Sequence, residues 1–146
     1  MKELTLSQIA AWCGADVPEG CGETRITGVE SDSRAIAPGN LFIALKGERV
    51  DGHDFLGAAA KNGAAAALVE HPVETGLPCL VVPDALLAYG KIAAGYRQLL
   101  GLKVIGITGS VGKTTTKEMT ACVLQGQFRT ARTDGNHNNN LGLPMS

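Results

Sequence analysis

Nothing in these 146 residues is lopsided in charge: 13 Lys and Arg stand against 14 Asp and Glu, for a formal net charge of −1. No basic cluster interrupts that balance, which argues against a polyanion-binding surface and against nucleic acid as a partner. A long apolar run is missing too. Residues 1–14 hold one Lys, one Glu and a short apolar patch, neither a secretory signal nor a membrane span. Cysteine is sparse: Cys13, Cys21, Cys79 and Cys122 form no C-x-x-C pair and have no companion His-x-x-x-His, so neither a zinc site nor a thioredoxin motif is indicated. Two disulfides would be possible in a secreted protein; without an export signal, reduced thiols in the cytoplasm are expected. Internal repeats are absent, and the only biased tracts are the alanines at 58–60 and 64–67, which suit close helix–sheet packing. What is left is a globular composition, 45% hydrophobic and 18% charged, long enough for one ordinary domain or two small ones.

The most informative stretch is Lys103-Val104-Ile105-Gly106-Ile107-Thr108-Gly109-Ser110-Val111-Gly112-Lys113-Thr114-Thr115. A β-branched run enters a glycine turn, and the turn ends at the head of a helix-forming segment. Gly109 and Gly112 lack Cβ atoms, so consecutive N–H groups can approach phosphate oxygens. The following helix aims its free N–H groups and positive dipole end at the same anion. Gly109, Ser110, Val111, Gly112, Lys113, Thr114 and Thr115 are therefore the candidate ATP-binding residues. Lys113 is the candidate catalytic charge at the β/γ-phosphates, and the Thr114 hydroxyl the candidate Mg²⁺ ligand. The general phosphate-loop pattern places Gly at position 107, where this chain has Ile107; its extra glycine is Gly109. An ordinary strand-to-helix turn with a solvated lysine is the alternative.

Around that loop the pattern is α/β. Thr5-Leu6-Ser7-Gln8 reads as a capping box, with Leu4 and Ile9 placed for a hydrophobic staple and a helix to about Trp12, ending near Gly14. Strands are expected at 25–30, 41–45, 64–69 and 79–82. An Ala-rich helix is expected from Asp54 to Asn62, and a longer one from Asp84 to Leu100 with Asp84 as N-cap. Residues 1–83 then form a small mixed α/β domain. Residues 84–146 begin a doubly wound parallel-sheet domain, with strands after Gly101 and over 128–132. That second domain lacks the acidic strand end and the adenine pocket that would complete it, so the chain reads as the front portion of a longer enzyme.

Other polar groups gather at strand ends. Ser31-Asp32-Ser33-Arg34 offers hydroxyls, a carboxylate and a guanidinium suited to uracil edges, ribose hydroxyls or a diphosphate. By composition alone, a turn whose Ser and Asp side chains bond local backbone is the favoured reading of these four residues. In Asp51-Gly52-His53-Asp54-Phe55, Asp51-Gly52 is a turn signal and Asp54 a helix cap, which leaves His53 open to a structural role. Gly135-Asn136-His137-Asn138-Asn139-Asn140 is rich in amide groups, either solvated or set for a polar ligand near the phosphate loop.

Taken together, Asp32-Ser33-Arg34, the run from Pro38 to Arg49, the 51–55 segment and the 108–115 loop resemble the Mur ligases of bacterial cell-wall synthesis. Lys117-Glu118-Met119 and the stretch from Gly135 to Pro144 narrow the resemblance to the MurF type; the sibling MurE type shares the earlier segments. Ile107 in place of Gly is normal for that family. The resemblance implies an ATP- and Mg²⁺-dependent amide ligase. It would join D-alanyl-D-alanine to a UDP-N-acetylmuramoyl-tripeptide through an acyl phosphate. It further implies that Ser31, Asp32, Ser33, Arg34 and His53 lie at or near the uridine-diphosphate site, and Asn136, Asn138 and Asn139 near the junction of ATP and substrate. The remaining C-terminal part of the enzyme would complete the site. Alone, these 146 residues would be inactive or a ligand-binding fragment.

Overall fold

Thr5 closes the short strand β1 (Leu4–Thr5) and opens helix α1 (Leu6–Cys13) through two reciprocal bonds. Its hydroxyl accepts from the Gln8 N–H at 3.3 Å, and Gln8 Oε1 accepts from the Thr5 N–H at 3.0 Å. The capping box is thus formed as expected, with Leu4 and Ile9 both buried on either side of it, and the helix stops at left-handed Gly14. The computed structural model describes residues 1–47 and 50–133.

The strand expected over 25–30 is divided between two sheets. Strand β2 (Arg25–Ile26) pairs antiparallel with β1, whereas β3 (Gly28–Glu30) pairs parallel with β4 (Asn40–Ile43). The break falls at Thr27, whose N–H donates to the Gly39 carbonyl at 2.9 Å and whose hydroxyl donates to the Pro38 carbonyl at 3.2 Å. Beyond β4 come β5 (Ala66–Val69) and β6 (Cys79–Val81), giving a four-stranded parallel sheet in the order β3-β4-β5-β6. The register is Val29↔Leu41, Phe42↔Ala67 and Leu68↔Leu80.

Strands buried on both faces read as unbroken apolar runs, and β4 and β5 do. On one face Phe42, Ala44, Ala67 and Val69 pack with Ile36, Leu56, Ala59 and Ala64. The two-residue period puts Leu41, Ile43, Leu68 and Leu80 on the other face, where all four are fully buried. Further buried apolar side chains lie on α1 and on α3 (Ala85–Leu100), among them Leu6, Ile9, Ala85, Ala88, Tyr89 and Ile92, and at Leu4, Ile26 and Val82 in or beside the strands. These two helices meet where Trp12 lies flat on Gly95; a Cβ there would stand 2.4 Å from the indole Cδ2. Asp84 caps α3, its Oδ1 accepting from the Leu87 N–H at 2.8 Å.

Between β4 and β5 the expected 54–62 helix is shorter and begins differently. A 3₁₀ turn (Gly52–Phe55) leads into α2 (Leu56–Lys61). The cap belongs to Asp51 rather than Asp54, because Asp51 Oδ1 accepts from the His53 N–H at 2.9 Å. All four cysteines are free thiols, and burial pushes those of Cys13 and Cys79 above their ordinary value.

Contacts divide the chain into two compact units, Met1–Gly95 and Tyr96–Ser146, so the division falls inside α3. Among the described residues of the second unit, α4 (Lys113–Gln125) is the regular element that follows α3. The strands expected after Gly101 and over 128–132 are irregular segments instead, with Val104, Ile105 and Phe128 exposed. A strand exists only by pairing its N–H and C=O groups. The described residues of this unit hold no second strand to pair with. No described helix is long and apolar enough to cross a membrane.

Candidate functional site

In a parallel sheet the strands all deliver their carboxyl ends to one edge, where α/β proteins bind ligands. Here the turn 31–34 follows β3, the turn 51–55 comes after β4, and Glu70 and His71 follow β5. The sequence-nominated Ser31, Asp32, Ser33, Arg34 and His53 are therefore gathered at that edge by topology alone.

The 31–34 turn is tightly bonded. Glu30 Oε1 accepts from the N–H groups of both Ser31 (2.8 Å) and Asp32 (3.1 Å). Asp32 Oδ1 accepts from the Arg34 backbone N–H and from its Nε, both at 2.9 Å, while Oδ2 accepts from a terminal guanidinium nitrogen at 2.7 Å. The Arg34 side-chain and backbone hydrogen bonds hold the Asp32 carboxyl down to about 2. The paired carboxylate in turn raises Arg34. Ser33 is buried, and its carbonyl accepts from Asn62 Nδ2 at 2.8 Å. The local-turn reading of this cluster is thus realised, yet the Arg34 side chain stays 88% exposed and free to turn its remaining donors outward.

His53 is engaged on every side. Its Nε2 faces the Glu70 N–H at 2.9 Å and must accept; Nδ1 therefore carries the proton and donates to Asp51 Oδ1 at 2.6 Å. His71 stacks on the ring with centroids 4.3 Å apart. The His53 backbone and side-chain bonds lower the Asp51 carboxyl. Glu70 continues the line, its Oε1 accepting from the Ala85 N–H at 2.9 Å at the start of α3. With both ring nitrogens used internally, His53 shapes the edge and has no ring nitrogen left for a ligand. The sequence reading missed Glu30, Asn62 and Glu70. An acidic residue directly before a Ser-Asp turn was the available sign for Glu30.

In the second unit, Gly112 is the N-cap of α4 with φ +79°, a left-handed conformation that favours glycine. It supplies no side-chain cap, so the helix start keeps its N–H groups for an outside acceptor. Lys113 is the first helical residue, and its Nζ donates to the Gly109 carbonyl. Thr116 Oγ1 donates to the Gly112 carbonyl at 2.9 Å. Ser110, Val111, Thr114 and Thr115 are exposed. The Lys117-Glu118 pair fastens α4 to the chain ahead. Glu118 pairs with Arg132 at 2.7 Å, and Lys117 Nζ donates to the Thr133 carbonyl at 2.6 Å. Asn136, Asn138 and Asn139 lie outside the described residues. Away from these positions, an open cleft of about 330 Å³ over β1 and β2 is lined by Glu3, Leu4, Thr5, Gln8, Glu23 and Arg25.

An α/β chain carrying a glycine-bounded turn and a lysine-headed, uncapped helix is of the phosphate-loop class. Residues 25–110 match the Mur ligase family, catalytic domain, and residues 107–146 the Mur ligase middle domain; the chain belongs to the Mur ligase family. It is 44% identical to the UDP-N-acetylmuramoyl-tripeptide--D-alanyl-D-alanine ligase of Escherichia coli over all 146 residues, which are 32% of that protein. The crystal structure of MurF from Acinetobacter baumannii superposes with a TM-score of 0.93 at 40% identity, covering 99% of this chain and 32% of that one. MurF from Thermotoga maritima, solved in complex with ADP, superposes with a TM-score of 0.72 at 37% identity over 80% of this chain and 27% of its own. The chain thus spans about a third of the length of the relatives it matches.

Proposed function

We propose that this chain contributes two sites to an ATP-dependent ligase of MurF type: a turn that holds the uridine-diphosphate end of a UDP-N-acetylmuramoyl-tripeptide, and the loop that holds ATP phosphates. The single observation that carries the reading is the start of α4. Left-handed Gly112, no side-chain cap and Lys113 at the first helical position together make a seat for phosphate oxygens. The names of the relatives favour D-alanyl-D-alanine as the second substrate over the diamino acid of the MurE type, and the motifs at 117–119 and 135–144 point the same way.

In the reaction this implies, the tripeptide carboxylate attacks the γ-phosphorus of ATP, and ADP leaves. The amine of D-alanyl-D-alanine then adds to the acyl phosphate, and inorganic phosphate departs as the amide forms. Lys113 swings from the Gly109 carbonyl to the β/γ-phosphates and offsets the charge that grows as the phosphoryl group moves. The N–H groups of the uncapped helix start bind the phosphate chain in place. Mg²⁺, when bound, would supply charge neutralisation to the phosphates. The exposed Thr114 hydroxyl fits one position of its shell, and the described residues group no three further acidic or imidazole ligands around it. At the other site Arg34 pairs with the diphosphate and Ser31 with the uridine. Asn136, Asn138 and Asn139 would meet the nucleotide–substrate junction, and the cytoplasm, where UDP-sugars and ATP coexist, is the compartment this chemistry needs.

Lys113→Ala in the intact ligase tests the reading. ATP-dependent phosphate release is expected to fall on the order of a hundredfold or more with the fold retained. Near-normal release by a folded variant would refute it.

A further inference from the structure

The geometry points to Glu30 as the positioning residue of the 31–34 turn: its carboxylate sets the Ser31 and Asp32 backbone so that the turn is prepared for a nucleoside diphosphate before the ligand arrives. This rests on the reading of 31–34 as the uridine-diphosphate site, and it names a residue that is not itself part of that site.

Glu30 is the last residue of β3, an edge strand, and it is fixed in register opposite Phe42. From there one oxygen, Oε1, gathers two consecutive N–H groups, 2.8 Å from Ser31 and 3.1 Å from Asp32. Two adjacent N–H groups turned toward one carboxylate force the chain to bend directly after the strand. That bend lets Asp32 fold over Arg34 and lets Ser33 point inward, where Asn62 holds its carbonyl at 2.8 Å. The turn is thus gripped from both ends, by Glu30 before it and by Asn62 from beyond α2. Tyr89 of α3 is buried, and burial, then the nearby Glu30 charge, raise its phenol above the ordinary value. A carboxylate bonded to two backbone N–H groups loses the rotamer freedom that would let the turn wander.

The chemistry of the arrangement separates Glu30 from the groups that would touch a ligand. Its bonded oxygen faces the protein's own N–H groups and would repel a diphosphate if turned outward. Arg34, in contrast, projects into solvent. Removing Glu30 leaves the donors of Arg34 and Ser31 in the molecule and takes away only their placement. The expected loss is that of a charge-assisted pair of bonds, about tenfold in affinity.

The test is an NMR titration of the protein with UDP as the probe, on the wild type, Glu30→Ala, Glu30→Gln and Arg34→Ala, with thermal unfolding of each. Glu30→Ala is expected to weaken UDP binding about tenfold at a retained folded spectrum. Glu30→Gln, whose amide oxygen can still accept both bonds, is expected to stay within about threefold of the wild type. Wild-type affinity in Glu30→Ala beside a weakened Arg34→Ala overturns the positioning role and leaves the uridine-diphosphate site standing. Unaltered binding in Arg34→Ala, or no shifts at 31–34 in the wild type, removes the site and the inference with it. Hydrogen exchange on the unliganded wild type decides the matter without a variant. Protected Ser31 and Asp32 amides support a prepared turn, and amides exchanging as freely as exposed loop amides refute it.

Discussion

Gly95→Ala is the substitution whose outcome the packing of α1 on α3 determines most sharply. A Cβ at position 95 would stand 2.4, 2.5 and 2.7 Å from Cδ2, Cγ and Cε2 of Trp12, about 1 Å inside the closest approach that carbon atoms tolerate. The obstacle is a ring face rather than the end of a flexible chain, so either the indole must leave its rotamer or the helices must part. Overpacking of that kind costs about 3 kcal/mol. Replacing glycine inside a helix returns about 1 kcal/mol through propensity, leaving a net loss of about 2 kcal/mol. For a unit the size of Met1–Gly95 that is a fall in Tm of about 10 °C. Gly90 is the internal control: it sits in the same helix, and a Cβ there meets nothing within 4 Å. Gly90→Ala is therefore expected to raise Tm by about 5 °C. Thermal unfolding followed by circular dichroism reads both, and fluorescence of Trp12, the only tryptophan, reports the site itself. Combining Gly95→Ala with Trp12→Leu should recover most of the loss. If Gly95→Ala proves as stable as Gly90→Ala, with tryptophan emission unchanged, the account of this contact is wrong.

Two further expectations concern the candidate site. A carboxyl lowered on folding adds stability above its unfolded value of about 3.9. Asp32, held at about 2, should therefore secure the 31–34 turn at neutral pH and release it as pH falls from about 4 toward 2. A carboxyl NMR titration should find its midpoint near 2, moving up toward about 3.9 in Arg34→Ala; a wild-type midpoint near 3.9 would contradict the pairing. Gly52→Ala would put a Cβ 2.6 Å from the Leu45 nitrogen and 2.7 Å from its carbonyl oxygen, both backbone atoms that cannot swing aside. A loss of about 3 kcal/mol is expected in chemical denaturation, together with faster exchange of the Glu70 amide as His53 is displaced. Unchanged stability would show that the 3₁₀ turn can shift freely.

What was legible beforehand is what a few neighbouring residues decide among themselves. The Thr5–Gln8 box and the Asp84 cap are local bonds, and the apolar runs at 41–45, 64–69 and 79–82 can only be covered strands. The division of 25–30 was not legible, because it depends on Thr27 meeting Pro38 and Gly39 from another turn. The strand expected before Gly109 failed for a related reason: apolar β-branched residues express a preference, and pairing needs a partner. In the site, residue types pointed to Arg34 and Lys113, whose chemistry is conspicuous. They could not reveal that His53 spends both nitrogens inside the fold, nor that Asn62 grips the turn, since those roles arise from contacts distant in sequence, whereas Glu30 bonds its own two neighbours and was within reach.

The line from Asp51 through His53 to Glu70 and on to Ala85 restricts which letters can stand at position 53. The place demands a donor at one end and an acceptor at the other, aimed in opposite directions from a flat, stackable body. Asn and Gln carry a donor and an acceptor on one carbon, side by side, and cannot face two ways. Tyr has a single polar tip, and Lys and Arg accept nothing. Of the common side chains only imidazole spans the two sites. An exchange here would either leave the Glu70 N–H without its mate or leave the Asp51 carboxylate with the backbone N–H of position 53 alone, and α3 would feel the change at its first turn. A residue with the look of a chemical participant is thereby bound to its identity by architecture, and a survey of tolerated substitutions would report it as immovable even with no ligand in reach.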